Sequence, residues 1–160
     1  MLGSIRLVTY ERYHSVSDDL IEGECMLPVE KIMTTEIISV NPETPIYEAL
    51  DLLVKNKISG VPVVDQDMKV VGILSEKDVL KILLEKNTNP KALVDDYMAR
   101  NPICFKETDS VIDLCKFFIQ NPYRRVPIVR DGKLVGIVSR RNLLTVIIEA
   151  KTTLTPFRYN

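Results

Sequence analysis

Apolar positions along this chain fall into two rhythms, and the same succession of rhythms occurs twice. A short apolar run, Ile37 to Val40, passes through a polar turn into a stretch where Ile46, Leu50, Leu53 and Val54 recur at helical spacing as a core-facing stripe. Thr44, a good N-cap type, and Pro45, at the favoured first helical position, predict a helix beginning near 44. Two β-branched runs follow, Val61 to Val64 and Val70 to Leu74, and the turn Asp65 to Lys69 between them predicts a hairpin. A second helix is predicted from Ser75, carrying Val79, Leu80, Leu83 and Leu84.

Downstream the order returns: an apolar strand over Ile103 to Phe105, a helix from near Asp109, and a hairpin turning through Arg130, Asp131 and Gly132. A last helix starts at Ser139 with Leu143, Leu144, Ile147 and Ile148. The offset is 65 early in the repeat, Met33 onto Met98, and 64 after one extra turn residue, Gly72 onto Gly136. VEKIM (29 to 33) overlays VDDYM (94 to 98), GVPVV (60 to 64) overlays RVPIV (125 to 129), and KVVGILSEKDVL (69 to 80) overlays KLVGIVSRRNLL (133 to 144).

Each copy therefore reads β-α-β-β-α, an α/β (α+β) unit. One unit of this size buries too little surface to stand alone, so the two are expected to pack sheet to sheet with pseudo-twofold symmetry. The division expected is an N-terminal extension over 1–28, repeats over 29–86 and 94–150, a linker over 87–93 and a tail over 151–160.

Composition narrows the function. With 160 residues, the chain has room for no large further domain. Its 21 Lys and Arg against 22 Asp and Glu give no bulk field for nucleic acid or an anionic membrane, so useful positive charge must be local. No apolar run approaches the roughly 20 residues of a membrane helix, and the N-terminus lacks a signal pattern, so a cytoplasmic protein is expected. Cys25, Cys104 and Cys115 show no CxxC spacing and have a single histidine, His14, for company, so they are read as small apolar residues. His14, Tyr10 and Tyr13 receive no role. Neither GxGxxG nor GxxxxGK[ST] is present, which sets aside a phosphate loop. The absence of a second histidine, a Cys-His pairing or a metal-ligand cluster argues against an enzyme.

The doubled hydrophobic-Pro-hydrophobic strand, VPVV and VPIV, and the doubled Gly-apolar-apolar-Ser-x-x-Asp/Asn pattern at 72 to 78 and 136 to 142 carry a family likeness. Over residues 29 to 150 the chain resembles the CBS-domain family, whose members usually occur as a tandem pair, the Bateman module, with two clefts between the repeats. The resemblance implies a non-catalytic sensor of adenosine-containing ligands that regulates an attached or partner protein. It further implies that the Ser and Asp of one repeat face the proline strand of the other.

Transferred residue by residue, a first cleft (A) joins Ile73, Ser75, Lys77 and Asp78 to Ile103, Arg124, Arg125, Val126, Pro127 and Arg141. Its ligand would be AMP, ADP or ATP, with no cofactor required. An ionised Asp78 suits the ribose diol, Arg124, Arg125 and Arg141 suit phosphate, and the apolar members suit the base. The second cleft (B) draws on Ile38, Gly60, Val61, Pro62, Ser139 and Asn142. There Asn142 forfeits charge assistance, and Ser59 and Gly60 replace the arginine pair, leaving Lys77 as the obvious cation. Cleft B is read as empty, weak or selective for a ligand with less phosphate.

Ser-x-x-Asp is equally a helix-capping pattern, and the two roles are compatible. Between 121 and 141, Arg124, Arg125, Arg130, Lys133, Arg140 and Arg141 stand against Asp131 alone, which keeps a nucleic-acid or protein docking face as the alternative function. A homodimer, like those that relatives commonly form, and an unidentified effector protein complete the expectations.

Overall fold

The computed structural model describes residues 27–85 and 89–153, with side chains as far as 148. The N-terminal extension up to residue 26, with His14, Tyr10, Tyr13 and Cys25, linker residues 86–88 and the tail from 154 lie outside the described residues.

Two three-stranded sheets form the frame. In the first, β1 (Gly60–Val64) pairs antiparallel with β2 (Val70–Ser75), which pairs with β3 (Ala99–Arg100). In the second, β4 (Phe105–Lys106) runs parallel to β5 (Arg125–Arg130), which pairs antiparallel with β6 (Lys133–Ser139). Helix α1 (Ile46–Lys55) precedes the first hairpin and α2 (Glu76–Val79) follows it; a 3-10 turn over Leu80–Leu84 continues α2. A short α3 (Val94–Tyr97) leads into β3, while α4 (Val111–Gln120) and α5 (Arg140–Thr153) flank the second hairpin.

The hairpin turns follow their residues. Asp65 accepts bonds from the N–H groups of Asp67 and Lys69, both at 2.9 Å, and closes the first turn. Asp131 (φ 51°) and Gly132 (φ 78°) make the two-residue turn of the second, where both central positions need positive φ.

The repeats exchange their leading segments. Residues 28–34 lead into repeat one but dock on repeat two: Val29 N–H donates to Asp109 O (2.9 Å), Thr34 and Ile137 exchange N–H···O bonds (2.9 and 3.0 Å), and fully buried Val29 joins the second core beside Leu114, Phe117 and Ile128. The equivalent stretch before repeat two docks on repeat one, with Val94 N–H on Thr44 O (2.9 Å) and β3 on β2. Each leader presents a methionine to a glycine of the opposite repeat. A Cβ on Gly72 would stand 2.6 Å from Met98 Sδ, and one on Gly136 would stand 2.9 Å from Met33 Cγ. Only glycine admits so close an approach, which accounts for Met33, Met98, Gly72 and Gly136 within the repeat.

The sheets meet through Val64, Val70, Val129 and Leu134, backed by Ile37 and Cys104. Lys69 bridges its own repeat equivalent, Lys133, so the pseudo-twofold axis passes between the hairpins at that bridge.

Several expectations are corrected. The helix expected from Thr44 starts at Ile46, because Pro45 (ψ 134°) is extended and bridges Leu93. Thr44 and Asp109 instead close the preceding turns, accepting from Asn41 N–H (3.1 Å) and Lys106 N–H (2.7 Å); Ser110 caps α4. Of the strands expected at 37–40 and 103–105, pairing reaches Val40 and Phe105, because the residues before them cross from one sheet to the other.

The helix faces differ too. Leu80, Leu83 and Leu84, expected on one core-facing stripe with Val79, are exposed while Val79 and Ile82 are buried; their equivalents on the regular α-helix α5 behave alike, so the outer edge of the stripe faces away from the core in both repeats. Val54, Leu144, Ile147 and Ile148 are exposed as well, while Ile46, Ala49, Leu53 and Leu143 are buried.

One salt bridge braces the turn on which a leader docks. Arg130 donates to the Glu107 carboxylate through Nε and Nη2, and the Glu107 main-chain oxygen accepts from Glu30 N–H at 2.9 Å. Hydrogen bonding from Arg130 holds the Glu107 carboxyl below its ordinary 4.5, against a smaller upward push from burial. A lowered folded-state pKa stabilises above the unfolded value and is lost as pH falls through the folded one. Thermal melts at pH 7 and pH 3 are expected to show a Glu107→Gln deficit at pH 7 that narrows at pH 3. An equal deficit at both would contradict it.

Candidate functional site

Each sheet is tied to the other by a crossing strand, and the candidate clefts lie along these crossings. On one side, Ile73 pairs with Ala99 on β3; Asn101, in the left-handed region (φ 53°) that Asn tolerates, turns the chain; and Phe105 pairs with Ile128 on β5. Six residues reach no further than about 20 Å, so Ile73 and β5 are held on opposite flanks of Pro102 and Ile103. On the other side, Thr34 on Ile137 leads through Ile38 to Val40 on Val63.

In cleft A, Ile73, Ser75, Asp78, Ile103 and Arg125 are half-buried, Val126 and Pro127 buried, and Lys77, Arg124 and Arg141 exposed. The structure binds Ser75 to Asp78 directly: Asp78 Oδ2 accepts from Ser75 N–H (3.0 Å) and Oγ–H (2.5 Å), which is the capping arrangement at the start of α2. The other oxygen, Oδ1, has Lys81 Nζ at 3.7 Å as its one partner among the described residues. That carboxylate is 16% exposed, covered yet reachable.

Arg124 and Arg125 stand at the β5 start, where Arg125 is level with Ser139 and Arg140 N–H donates to Arg124 O (3.2 Å). The first hairpin has the same arrangement, Gly60 level with Ser75 and Glu76 N–H on Ser59 O (3.1 Å). Among the described residues, the side chains of Arg124, Arg125 and Arg141 have no carboxylate or hydrogen-bond partner.

The basic run is thinner in space than in sequence. Arg130 is taken by Glu107, and Arg140 donates to Phe118 O (3.1 Å) and Asn121 O (2.9 Å) with its guanidinium 6.0 Å from the Phe118 ring centre.

In cleft B, Ile38, Gly60, Ser139 and Asn142 are half-buried and Val61 and Pro62 buried. Asn142 Oδ1 accepts from Ser139 N–H (2.8 Å) and Oγ–H (2.7 Å), as Asp78 does from Ser75. Its Nδ2, however, donates to Ile32 O (3.0 Å) and Thr34 Oγ1 (3.3 Å) on the exchanged leader. Sequence reasoning missed Thr34; the signal was its place one residue after Met33, where the other copy has Ala99.

The remaining reactive groups are quiet. Burial pushes the Cys104 thiol up to about 12, so it is no thiolate nucleophile at neutral pH, and Cys115 packs against the second core. Among the described residues no cluster of His, Cys, Asp and Glu suits a metal ion, and no helix is long and apolar enough to cross a membrane.

The chain belongs to the CBS domain family, which it matches over residues 29–85 and 94–149. It is 36% identical over 142 residues to the chloroplastic CBS domain-containing protein CBSX1 of Arabidopsis thaliana, covering 70% of this chain and 59% of that one. It spans 42% of a further relative, from Methanocaldococcus jannaschii. Among solved structures it is similar to CBSX2 in complex with AMP (30% identity, TM-score 0.69, 78% of this chain and 98% of that one). It is also similar to the CBS domain pair of MJ0100 in complex with 5-methylthioadenosine and S-adenosyl-L-methionine (27% identity, TM-score 0.68, covering 78% and 98%). The chain is thus a tandem CBS pair.

Proposed function

We propose that this pair is a non-catalytic sensor that binds AMP, ADP or ATP in cleft A and passes the signal to an effector protein. The observation that carries the reading is the Oδ1 of Asp78, which among the described residues has only Lys81 at 3.7 Å, together with arginines on the facing strand that have no carboxylate or hydrogen-bond partner among the described residues. Both ribose hydroxyls can donate to such an oxygen, each charge-assisted bond contributing about 1.5 to 3 kcal/mol. The crossing supports the same placement: Ala99 is level with Ile73 on β2 and Phe105 is level with Ile128 on β5, so Ile103 stands on the segment that passes from one strand to the other. The phosphate then lies toward Arg124, Arg125 and Arg141, with Lys77 at the rim. The base lies among Ile73, Ile103, Val126 and Pro127. The AMP complex of a relative 30% identical lends further support.

Calorimetric titration with AMP, ADP, ATP, S-adenosylmethionine and a short DNA tests it. Micromolar binding of an adenine nucleotide, about 8 kcal/mol, is expected. A DNA signal lost steeply with salt, with no nucleotide heat, would support the docking alternative instead.

A homodimer belongs to the same proposal. Among the described residues, and apart from Met68 and Tyr123, the exposed large apolar residues fall into repeat-related pairs: Tyr47 and Ile112, Val54 and Ile119, Leu80 and Leu144, Leu83 and Ile147, Leu84 and Ile148. A face with the symmetry of the chain suits a second copy of the chain. Sedimentation at micromolar concentration is expected to give a dimer, and a monomer would count against it.

A further inference from the structure

Positions 78 and 142 are equivalent in the repeat and make the same two bonds to the serine before them, yet their remaining capacity is used in opposite ways. An asparagine side chain offers two acceptor lone pairs and two N–H donors. At Asn142 all four are engaged: Ser139 N–H and Oγ–H on Oδ1, and Ile32 O and Thr34 Oγ1 on Nδ2. The orientation follows from the partners, since Ser139 N–H demands an acceptor and the Ile32 carbonyl demands a donor. Nothing on this side chain is left for a ribose hydroxyl. At Asp78, Oδ2 is filled in the same way, but a carboxylate cannot donate to the opposite leader, and Oδ1 stays open apart from Lys81 at 3.7 Å.

We propose that Asn142 is a clasp: its amide fastens the exchanged leader at Ile32 and Thr34 to repeat two and thereby closes cleft B, so that the chain holds one nucleotide. This rests on the reading of cleft A as the nucleotide site. The residue at this repeat position selects between two uses of one geometry, a carboxylate making a ligand site and an amide with a facing threonine making a fastener. Thr34 is specific to this side, because its equivalent, Ala99, has no hydroxyl to accept the second amide hydrogen.

Asn142→Asp isolates the clasp, because the carboxylate keeps both bonds from Ser139 and loses both donors. Without ligand, its melting midpoint is expected to fall by about 5 °C, the shift of about two lost hydrogen bonds in a domain of this size. Thr34→Ala, which removes one of those bonds, is expected to fall by about half as much. In calorimetry the unmodified chain is expected to bind one AMP. Asn142→Asp is expected to bind two molecules of adenosine where the unmodified chain binds one, adenosine being chosen because cleft B lacks the arginine pair. An unchanged melting midpoint, two AMP per unmodified chain, or one adenosine per Asn142→Asp chain would overturn the clasp and leave the reading of cleft A standing. Absence of all nucleotide binding with the melting shifts intact would overturn the reading of cleft A, and with it the clasp's role in closing a ligand site.

Discussion

Asp78→Ala is expected to weaken AMP binding tenfold to a hundredfold, whereas Asn142→Ala changes it less than twofold. The large effect follows from the difference between the two side chains: Asp78 has an acceptor oxygen without a hydrogen-bond partner, and removing it deletes a charge-assisted contact set with the ribose. The small one follows because Asn142 spends its capacity on Ser139, Ile32 and Thr34. Asp78→Ala also removes the two bonds from Ser75, so its melting midpoint should be recorded alongside; Asp78→Asn keeps an acceptor there and separates loss of charge from loss of the cap. Titrations of the three variants with AMP check the prediction. Equal losses from Asp78→Ala and Asn142→Ala would contradict it.

The second large effect concerns the exchanged leaders. Gly136→Val is expected to destabilise the fold by about 2 to 3 kcal/mol, because its Cβ would stand 2.9 Å from Met33 Cγ and 3.1 Å from Met33 Cβ, and the Cβ can yield only with the leader backbone. Shortening the methionine removes the Cγ conflict and leaves the Cβ one, so Met33→Ala in the same chain is expected to recover about 1 kcal/mol relative to the sum of the single changes. Urea unfolding of the two single variants and the double variant closes the cycle. Strict additivity would mean that Met33 is not what Gly136 makes room for, and that the leader does not lie where the Thr34 and Ile137 bonds put it.

How much of this was legible in the sequence depends on whether a feature survives exchange between the copies. The hairpins, the proline strands and the β-α-β-β-α order are local, and being written twice they are secure. The exchange of leaders was not legible, because Val29 and Val94, or Met33 and Met98, fit the same sites whether each docks on its own repeat or on the other. The apolar pattern is unchanged by the swap. The outward faces were not legible, because an apolar stripe at helical spacing does not say which of its edges meets the core: Leu83 and Leu84, like Ile147 and Ile148 on α5, are exposed. In the clefts, the loss of charge at Asn142 was visible in the motif. Its use was not, since the partner, Ile32 O, is a main-chain atom 110 residues away that no motif names.

Under the proposed function, Ser75 and Asp78 combine a capping role with a ligand role, and one geometry serves both. One carboxylate oxygen satisfies the start of α2, and the cap fixes the side chain so that the second oxygen faces outward in a set direction. A ligand then meets a pre-ordered acceptor, which lowers the entropic cost of binding.

The central claim, that cleft A holds the nucleotide, is tested most directly by a crystal structure of the chain with AMP at saturating concentration. One AMP per chain is expected, its ribose hydroxyls on Asp78 Oδ1 and its phosphate within reach of Arg124 and Arg125. AMP seated beside Asn142, or a cleft between Asp78 and Arg125 that stays empty of AMP, would contradict it.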